Sequence, residues 1–201
     1  MKEYPKIQSV FKRDDKTHKF IIGEWAEPEF EYLKDCLWEA TEKIDGTNIR
    51  VIWDEAGRRF EGRTDNAQIP AILYKKLCET FPTDNPFDYP VCLYGEGYGT
   101  RIQKGGGNYK ADGVDFALFD VFIDGWWLEQ DNVKGIAEKL GISAVPFVGY
   151  FTLHNAMDFV DTGFKSTFGD FNAEGLVLKT QVQLFNRKGK RIITKMKTKD
   201  F

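Results

Sequence analysis

The stretch Lys43-Ile44-Asp45-Gly46-Thr47-Asn48 decides how the chain is read. K-x-D-G arises by chance in roughly a few per cent of chains this long, and an Asn two residues later makes the match about twentyfold rarer. Residues 37–43 and 47–53 alternate as strands around the Asp45-Gly46 turn, with Ile49, Val51 and Trp53 out of phase with Asn48 and Arg50. Two readings stand level on this segment alone. In one, Lys43 and Asp45 are surface residues of a strand–turn–strand. In the other, Lys43 is a nucleophile at a strand end, and Gly46 lets the backbone approach a phosphate. A lysine amine is protonated at neutral pH unless its site prevents it, so a catalytic lysine needs supporting groups.

Working outward, Asp54-Glu55-Ala56-Gly57 turns into a strand over Arg59 to Thr64. Ile72, Leu73, Leu77 and Phe81 fit one helical face after Pro70. Val91 to Glu96 and Asp115 to Ile123 read as strands, the second turning at Asp124-Gly125 into Trp126 to Leu128. Val133, Ile136, Ala137 and Leu140 form a helical stripe, with Asp131 as N-cap and Gly141 as stop. Leu153, Ala156, Met157 and Val160 repeat the pattern after Thr152, and strands near Glu174 to Thr180 and Arg191 to Met196 follow. Antiparallel strands with inserted helices indicate an α+β fold. With no repeat or linker, residues 1–201 are expected to form one domain.

Five further segments carry chemistry. Arg63 in Glu61-Gly62-Arg63-Thr64 offers a guanidinium fork for a phosphate, with Gly62 leaving room. Glu96 lies among the alternating glycines of Tyr94 to Gly99, which suit either a ligand approach or a structural bulge. Phe116-Ala117-Leu118-Phe119 is a core-type strand from which one aromatic could stack on a purine. Glu174 opens Glu174-Gly175-Leu176-Val177-Leu178-Lys179, and Lys195-Met196-Lys197 projects two amines from one strand face. Such neighbours repel, which a polyphosphate lying across them relieves. Lys104-Gly105-Gly106-Gly107 lacks Walker spacing and reads as a surface loop. His18 and His154 fall outside every motif.

Composition narrows the class. A hydrophobic content of 42% excludes disorder, and 17 Phe, 8 Tyr and 5 Trp favour strands. Cys36, Cys78 and Cys92 form neither a C-x-x-C pair nor an even disulfide set, which suits a reducing cytoplasm. No segment has the apolar length of a membrane span, and Met1 leads into charge rather than a signal peptide. The net charge of −3 is unevenly spread: Arg187 to Phe201 holds seven Lys or Arg and one Asp. That basic tail is either a solvated end or an edge for a phosphate-rich ligand.

In this order the segments resemble the motifs of the covalent nucleotidyltransferase superfamily, which holds ATP-dependent DNA and RNA ligases and messenger-RNA capping enzymes. The match is closest to the bacteriophage-type RNA ligase domain, the branch of nick-sealing RNA ligase 2. Glu42 to Asn48, Tyr94 to Gly107 and Phe116 to Leu128 carry that finer resemblance.

The resemblance implies an adenylyltransferase domain and a three-step reaction. Lys43 takes AMP from ATP, AMP passes to a 5′-phosphate, and a 3′-hydroxyl seals the strand. It also implies roles by position. Glu42 lies against the adenine, and Ile44 belongs with Lys43 to the nucleotide-binding set. Asn48 and Arg63 bind ribose or phosphates, and Glu96 the ribose side. Phe119 stacks on the base, with Phe116 in reserve, and Lys195 and Lys197 grip the α-phosphate. Asp45, Glu96 and Glu174 hold a hydrated Mg²⁺ or Mn²⁺ through its waters, and the ion disfavours the ammonium form of Lys43.

The implied partner is nucleic acid, RNA or an RNA-containing duplex, with 5′-phosphate and 3′-hydroxyl ends. Ligases of the superfamily generally carry a further C-terminal domain, and this chain stops four residues after Lys197. A minimal ligase, an excised domain, or a protein that borrows strand contacts from a partner all fit. A DNA ligase, a capping-type nucleotidyltransferase and a noncatalytic end-binding protein are the alternatives.

Overall fold

The computed structural model describes residues 3–201 and divides into two compact units. One takes Asp45–Val145 with Glu3 and Tyr4, and the other takes Pro5–Ile44 with Pro146–Phe201. In chain order the first strands are β1 (Gln8–Ser9), β2 (Phe11–Arg13) and β3 (Phe20–Trp25), followed by helix α1 (Pro28–Tyr32). Next come β4 (Trp38–Glu42), β5 (Thr47–Asp54), β6 (Gly57–Gly62), α2 (Ala71–Thr80), β7 (Val91–Gly99) and α3 (Gly106–Tyr109). Then follow β8 (Val114–Ile123), β9 (Trp126–Trp127), α4 (Gln130–Leu140), β10 (Ser143–Ala144) and β11 (Phe147–Phe151). The chain closes with α5 (Leu153–Thr162), β12 (Gly175–Thr180), β13 (Ile193–Lys197) and a 3₁₀ turn over Thr198–Asp200.

The Asp45–Val145 unit is built on a sheet ordered β10-β8-β7-β5-β6, with β9 added to β8. Its central pairs, β5 with β6, β5 with β7 and β7 with β8, are antiparallel. Ile49, Val51 and Trp53 of β5 face a core shared with Leu73 and Leu77 of α2 and Val133 and Ala137 of α4. Ile72 departs from the expected helical face and is exposed, because the buried stripe runs through Leu73, Leu77 and the extended capping residue Phe81. The two-residue turn at Asp124 and Gly125 has both φ values positive, 47° and 86°, which matches the twist of a tight hairpin.

Along β8 the core set is Val114, Phe116, Leu118 and Val121. The parity changes after Leu118 because Tyr94 pairs with Asp120 and Gly95 with Leu118, which leaves Phe119 as the extra residue of a bulge. Gly95 and Gly97 serve packing. A methyl on the first would stand 2.1 Å from the Phe116 ring, and on the second 2.4 Å from Leu73.

The second unit has the sheet order β1-β13-β12-β4-β11, and β2 and β3 form a separate pair. Trp38, Ala40, Leu176, Leu178 and Met196 meet Leu153, Ala156, Met157 and Val160 of α5 in its core. Burying such side chains contributes ~1.5–3 kcal/mol each before ordering entropy is counted. Thr152 caps α5 as expected, its side chain accepting the Asn155 N–H at 3.2 Å. Gly141 ends α4 in the left-handed conformation, whereas the N-cap is Glu129 rather than Asp131, which lies within the first turn. Strands β4 and β5, read as flanking one turn, belong to different sheets.

Candidate functional site

Alternation along β4 separates two neighbours in sequence. Trp38, Ala40 and Glu42 are buried towards the core of their unit, and Lys43 therefore turns to the opposite face. The Lys43 N–H donates to the Gly175 carbonyl at 2.9 Å, which sets its side chain beside the start of β12. Gly175 pairs with Lys197 and Val177 with Lys195, so the residue before Gly175 meets the end of β13. A methyl on Gly175 would lie 2.0 Å from the Met196 carbonyl oxygen, and its φ is +152°. Only glycine permits that approach.

The outcome is a bridging carboxylate. Lys43 Nζ stands 2.6 Å from Glu174 Oε2, and Lys197 Nζ stands 2.5 Å from Glu174 Oε1. Lys43 Nζ also donates to the Ile44 carbonyl at 3.3 Å. Burial pushes the Glu174 carboxyl up, but Lys43 and Lys197 outweigh it, and the net position is below the usual carboxylate value.

Lys195 forms no ion pair among the described residues. Burial first, and then the charges of Lys43, Lys197 and Arg13, bring its pKa down to about 8, against a smaller opposing effect of Glu174. Arg13 Nη2 meets Asp200 Oδ2 at 2.7 Å, and the same carboxylate accepts the Lys197 N–H at 3.1 Å. Three cationic side chains thus engage two carboxylates, and Lys195 adds a fourth positive charge without an ion pair of its own among the described residues. A partly buried cluster with surplus positive charge is made for an anion, whose arrival would restore the proton affinity of Lys195.

Sequence reasoning missed four residues here. Glu42 is 1% exposed, and its carboxylate accepts bonds from Ser166 Oγ at 2.5 Å, Thr167 N–H at 3.0 Å and Thr167 Oγ1 at 2.9 Å. The side chain therefore faces a loop on the core side, where the resemblance implies a place against the adenine. Ser166 and Thr167 carry no motif. Arg13 and Asp200 had one faint signal, a lone acid in a basic tail.

The remaining candidates lie in the Asp45–Val145 unit. Asn48 and Glu96 are direct cross-strand partners, and both lie on the face opposite Ile49 and the core. Asn48 Oδ1 is buried without a hydrogen-bond partner, an acceptor left for something the chain itself does not supply. Phe119 packs edge-on against Tyr4 at 5.0 Å, while Phe116 is 2% exposed and meets Phe81 at 5.4 Å. Phe116 is therefore core and unsuited as a reserve platform.

Arg63 is exposed just past the end of β6. The room beside Gly62 is filled by Ala67, whose side chain would stand 2.5 Å from a methyl added there, so this glycine serves packing rather than a phosphate. Gly46 is likewise corrected: a methyl there would lie 2.3 Å from the Gly97 carbonyl oxygen and 2.8 Å from Glu96 Cγ. Gln103 Nε2 donates to the Gly46 carbonyl at 3.2 Å, and a short helix, α3, replaces the expected loop at Gly106. No three His, Cys, Asp or Glu side chains cluster to ligate a metal directly among the described residues. Asp45, Glu96 and Glu174 do not assemble within either unit, since the first two belong to one and Glu174 to the other.

Comparison with known proteins places these observations. The family model described as RNA ligase matches residues 37–197. No curated relative matches the chain. Among solved structures, a Naegleria gruberi RNA ligase mutant with ATP and Mn aligns at 21% identity and TM-score 0.65, covering 97% of this chain and 61% of that one. The same ligase with PPi aligns at 22% identity and TM-score 0.66, covering 97% and 61%. A mutant with AMP and Mn aligns at 21% and 0.66, covering 98% and 60%. At these identities the likeness establishes the fold, and the chain spans about three-fifths of the length of those structures.

Proposed function

The chain belongs to the RNA ligase family, and we propose that it is an ATP-dependent RNA ligase that works through a lysyl-AMP intermediate on Lys43. The observation that supports this most is the Lys43–Glu174–Lys197 bridge with unpaired Lys195 beside it. It combines an amine at a strand end with surplus cationic charge for a phosphate.

In the first step the Lys43 nitrogen attacks the α-phosphorus of ATP. An N–P bond forms, the bond to pyrophosphate breaks, and the amine loses its protons. The lowered Glu174 carboxyl is a weak proton acceptor, so the Glu174 oxygens orient the amine while the proton leaves to water or pyrophosphate. Lys195 and Lys197 neutralise charge as it develops on the phosphate oxygens. A 5′-phosphate oxygen then attacks the same phosphorus and frees Lys43. A 3′-hydroxyl attacks the activated 5′-phosphate, forming the phosphodiester and releasing AMP.

For Asn48, Arg63, Glu96 and Phe119 the proposal rests on motif order, with the orphaned Asn48 oxygen as support for a ribose or phosphate contact. On motif order alone, Asp45, Glu96 and Glu174 are the carboxylates that would hold a hydrated Mg²⁺ or Mn²⁺ through its waters. When bound, such an ion offsets triphosphate charge and disfavours the ammonium form of Lys43. Both units are read as one adenylyltransferase domain whose substrates carry 5′-phosphate and 3′-hydroxyl ends, as in RNA repair. A protein partner supplying strand contacts, a phage origin and a cytoplasmic setting belong to the same reading, the last in keeping with free Cys36, Cys78 and Cys92. No helix among the described residues is long and apolar enough to cross a membrane.

The test is labelling with α-labelled ATP and a divalent ion, followed by sealing of nicked RNA and DNA duplexes. Wild type acquires one AMP that maps to Lys43, and Lys43→Ala and Lys43→Arg acquire none. Full labelling of either variant removes Lys43 from the mechanism. An adduct without AMP-capped or sealed strands restricts the chain to the first step.

A further inference from the structure

The segment that joins β12 to β13 is absorbed by none of the roles above, and it is a built hairpin rather than a loose tail. Phe185 and Arg191 form an antiparallel bridge, and the Ile192 N–H donates to the Leu184 carbonyl at 2.9 Å. At the tip, Asn186 Oδ1 accepts the N–H groups of Lys188 and Lys190, both at 3.0 Å. The Asn186 N–H donates to the Lys190 carbonyl at 2.8 Å, and Gly189 turns the chain at φ 71°. Arg191 Nε is held by Gln183 Oε1 at 2.8 Å.

This scaffold displays charge of one sign. Arg187, Lys188 and Lys190 are exposed, and the sequence contains no carboxylate between Glu174 and Asp200. Glu27 and Glu29 share a cleft with Lys190 and Arg191 at the hairpin base, so Arg187 and Lys188 at the tip carry the least opposed charge. Phe185, 51% exposed, adds a flat apolar face beside them. Cations interleaved with an exposed ring suit a sugar–phosphate strand better than an acidic protein surface, because bases stack and carboxylates do not.

We infer that the 181–191 hairpin is a second nucleic-acid contact, gripping the substrate backbone at a distance from the reacting end. This rests on the proposed RNA ligase reading. The hairpin is the far end of the same ladder that carries Lys195 and Lys197. At ~3.3 Å per residue, the nine positions from Lys197 back to Lys188 span up to about 30 Å. Along an A-form RNA duplex, whose rise per base pair is shorter than the ~3.4 Å of B-form DNA, that span takes about eleven nucleotide steps.

The experiment uses the full chain and 5′-phosphorylated nicked RNA duplexes with arms of graded length. The variant is Arg187→Ala/Lys188→Ala/Lys190→Ala, with Arg187→Glu as a single-site companion. Lysyl-AMP formation should be unchanged in both. Duplex affinity should fall ~10-fold or more in the triple variant, and the slope of log K against log salt should become shallower by about 2–3. Wild type should lose the same affinity when the arms shorten below about eleven base pairs, while the triple variant should not respond. Unchanged affinity and slope with an intact adduct would overturn the inference, as would equal binding of polyglutamate and RNA by the wild type. Failure of the parent reading is a different result, the absence of any lysyl-AMP adduct in the wild type.

Discussion

Glu174 Oε2 lies 2.6 Å from Lys43 Nζ, although 131 residues separate the two. The contact orients the amine and at the same time ties it to a carboxylate that also holds Lys197. Glu174→Gln keeps the shape but leaves two ammonium groups facing one neutral amide. Lysyl-AMP formation should slow by about 10²-fold or more, in line with the loss of an oriented electrostatic partner. Stability should fall by about 1–3 kcal/mol, because the side chain is only 17% exposed. Single-turnover labelling and thermal melts check the two effects separately, and a rate near wild type would show that the amine is positioned by something else.

The charge of Lys195 should be visible in the pH dependence of ATP use. Its pKa in the free protein is depressed to about 8, so it is protonated below that pH and loses its charge as pH rises through it. ATP binding therefore weakens above about pH 8, and KM for ATP rises there. Lys195→Arg keeps the charge throughout and should abolish that limb, because a guanidinium does not titrate in this range. The same shift has a stability sign. The unfolded amine binds its proton up to about pH 10.5, so between pH 8 and 10.5 the unfolded state holds more protons and stability rises with pH.

Asn48→Ala separates binding from folding. Its Oδ1 is buried without a partner, so removing it should leave Tm unchanged or slightly raised. ATP affinity should nevertheless drop by about 5–10-fold, the worth of one hydrogen bond to ribose or phosphate. Isothermal titration with a non-hydrolysable ATP analogue measures it, and an unaltered affinity removes Asn48 from the nucleotide site.

Ser166→Ala/Thr167→Ala would strip the buried Glu42 carboxylate of its side-chain donors. A loss of about 2–3 kcal/mol is expected, which for a chain of this size lowers Tm by about 5–10 °C. At a temperature where the variant is folded, KM for ATP should be close to wild type. A large rise in KM without a fall in Tm would return Glu42 to the adenine.

Gly46→Ala and Gly175→Ala act on the backbone. The added methyl would meet the Gly97 or the Met196 carbonyl oxygen at 2.3 or 2.0 Å, and a backbone atom cannot swing aside as a side chain can. Each should destabilise by about 1–3 kcal/mol or more. Denaturant titration reads this directly, and wild-type stability in Gly46→Ala would revive a ligand role for that glycine.

The sequence disclosed what repeats within a few residues. Period-two alternation found β5 and the end of β13, short apolar runs bounded by turns found β7, β8 and β12, and the 3.6-residue stripe found α4 and α5, because each pattern comes from the faces of an element that meet a core. The first 36 residues and β11 escaped, since strands of two to six residues with bulged or short pairings carry too few alternations. Motif order also brought out Lys43, Glu174, Lys195 and Lys197. Tertiary structure alone decided that Glu42 faces a loop 124 residues away, that Phe119 sits at a bulge while Phe116 is core, and that Gly46 and Gly62 make room for the protein itself. Those facts depend on which surfaces meet after the chain closes on itself, and a local pattern holds no record of the distant residue that will fill a space or take a proton.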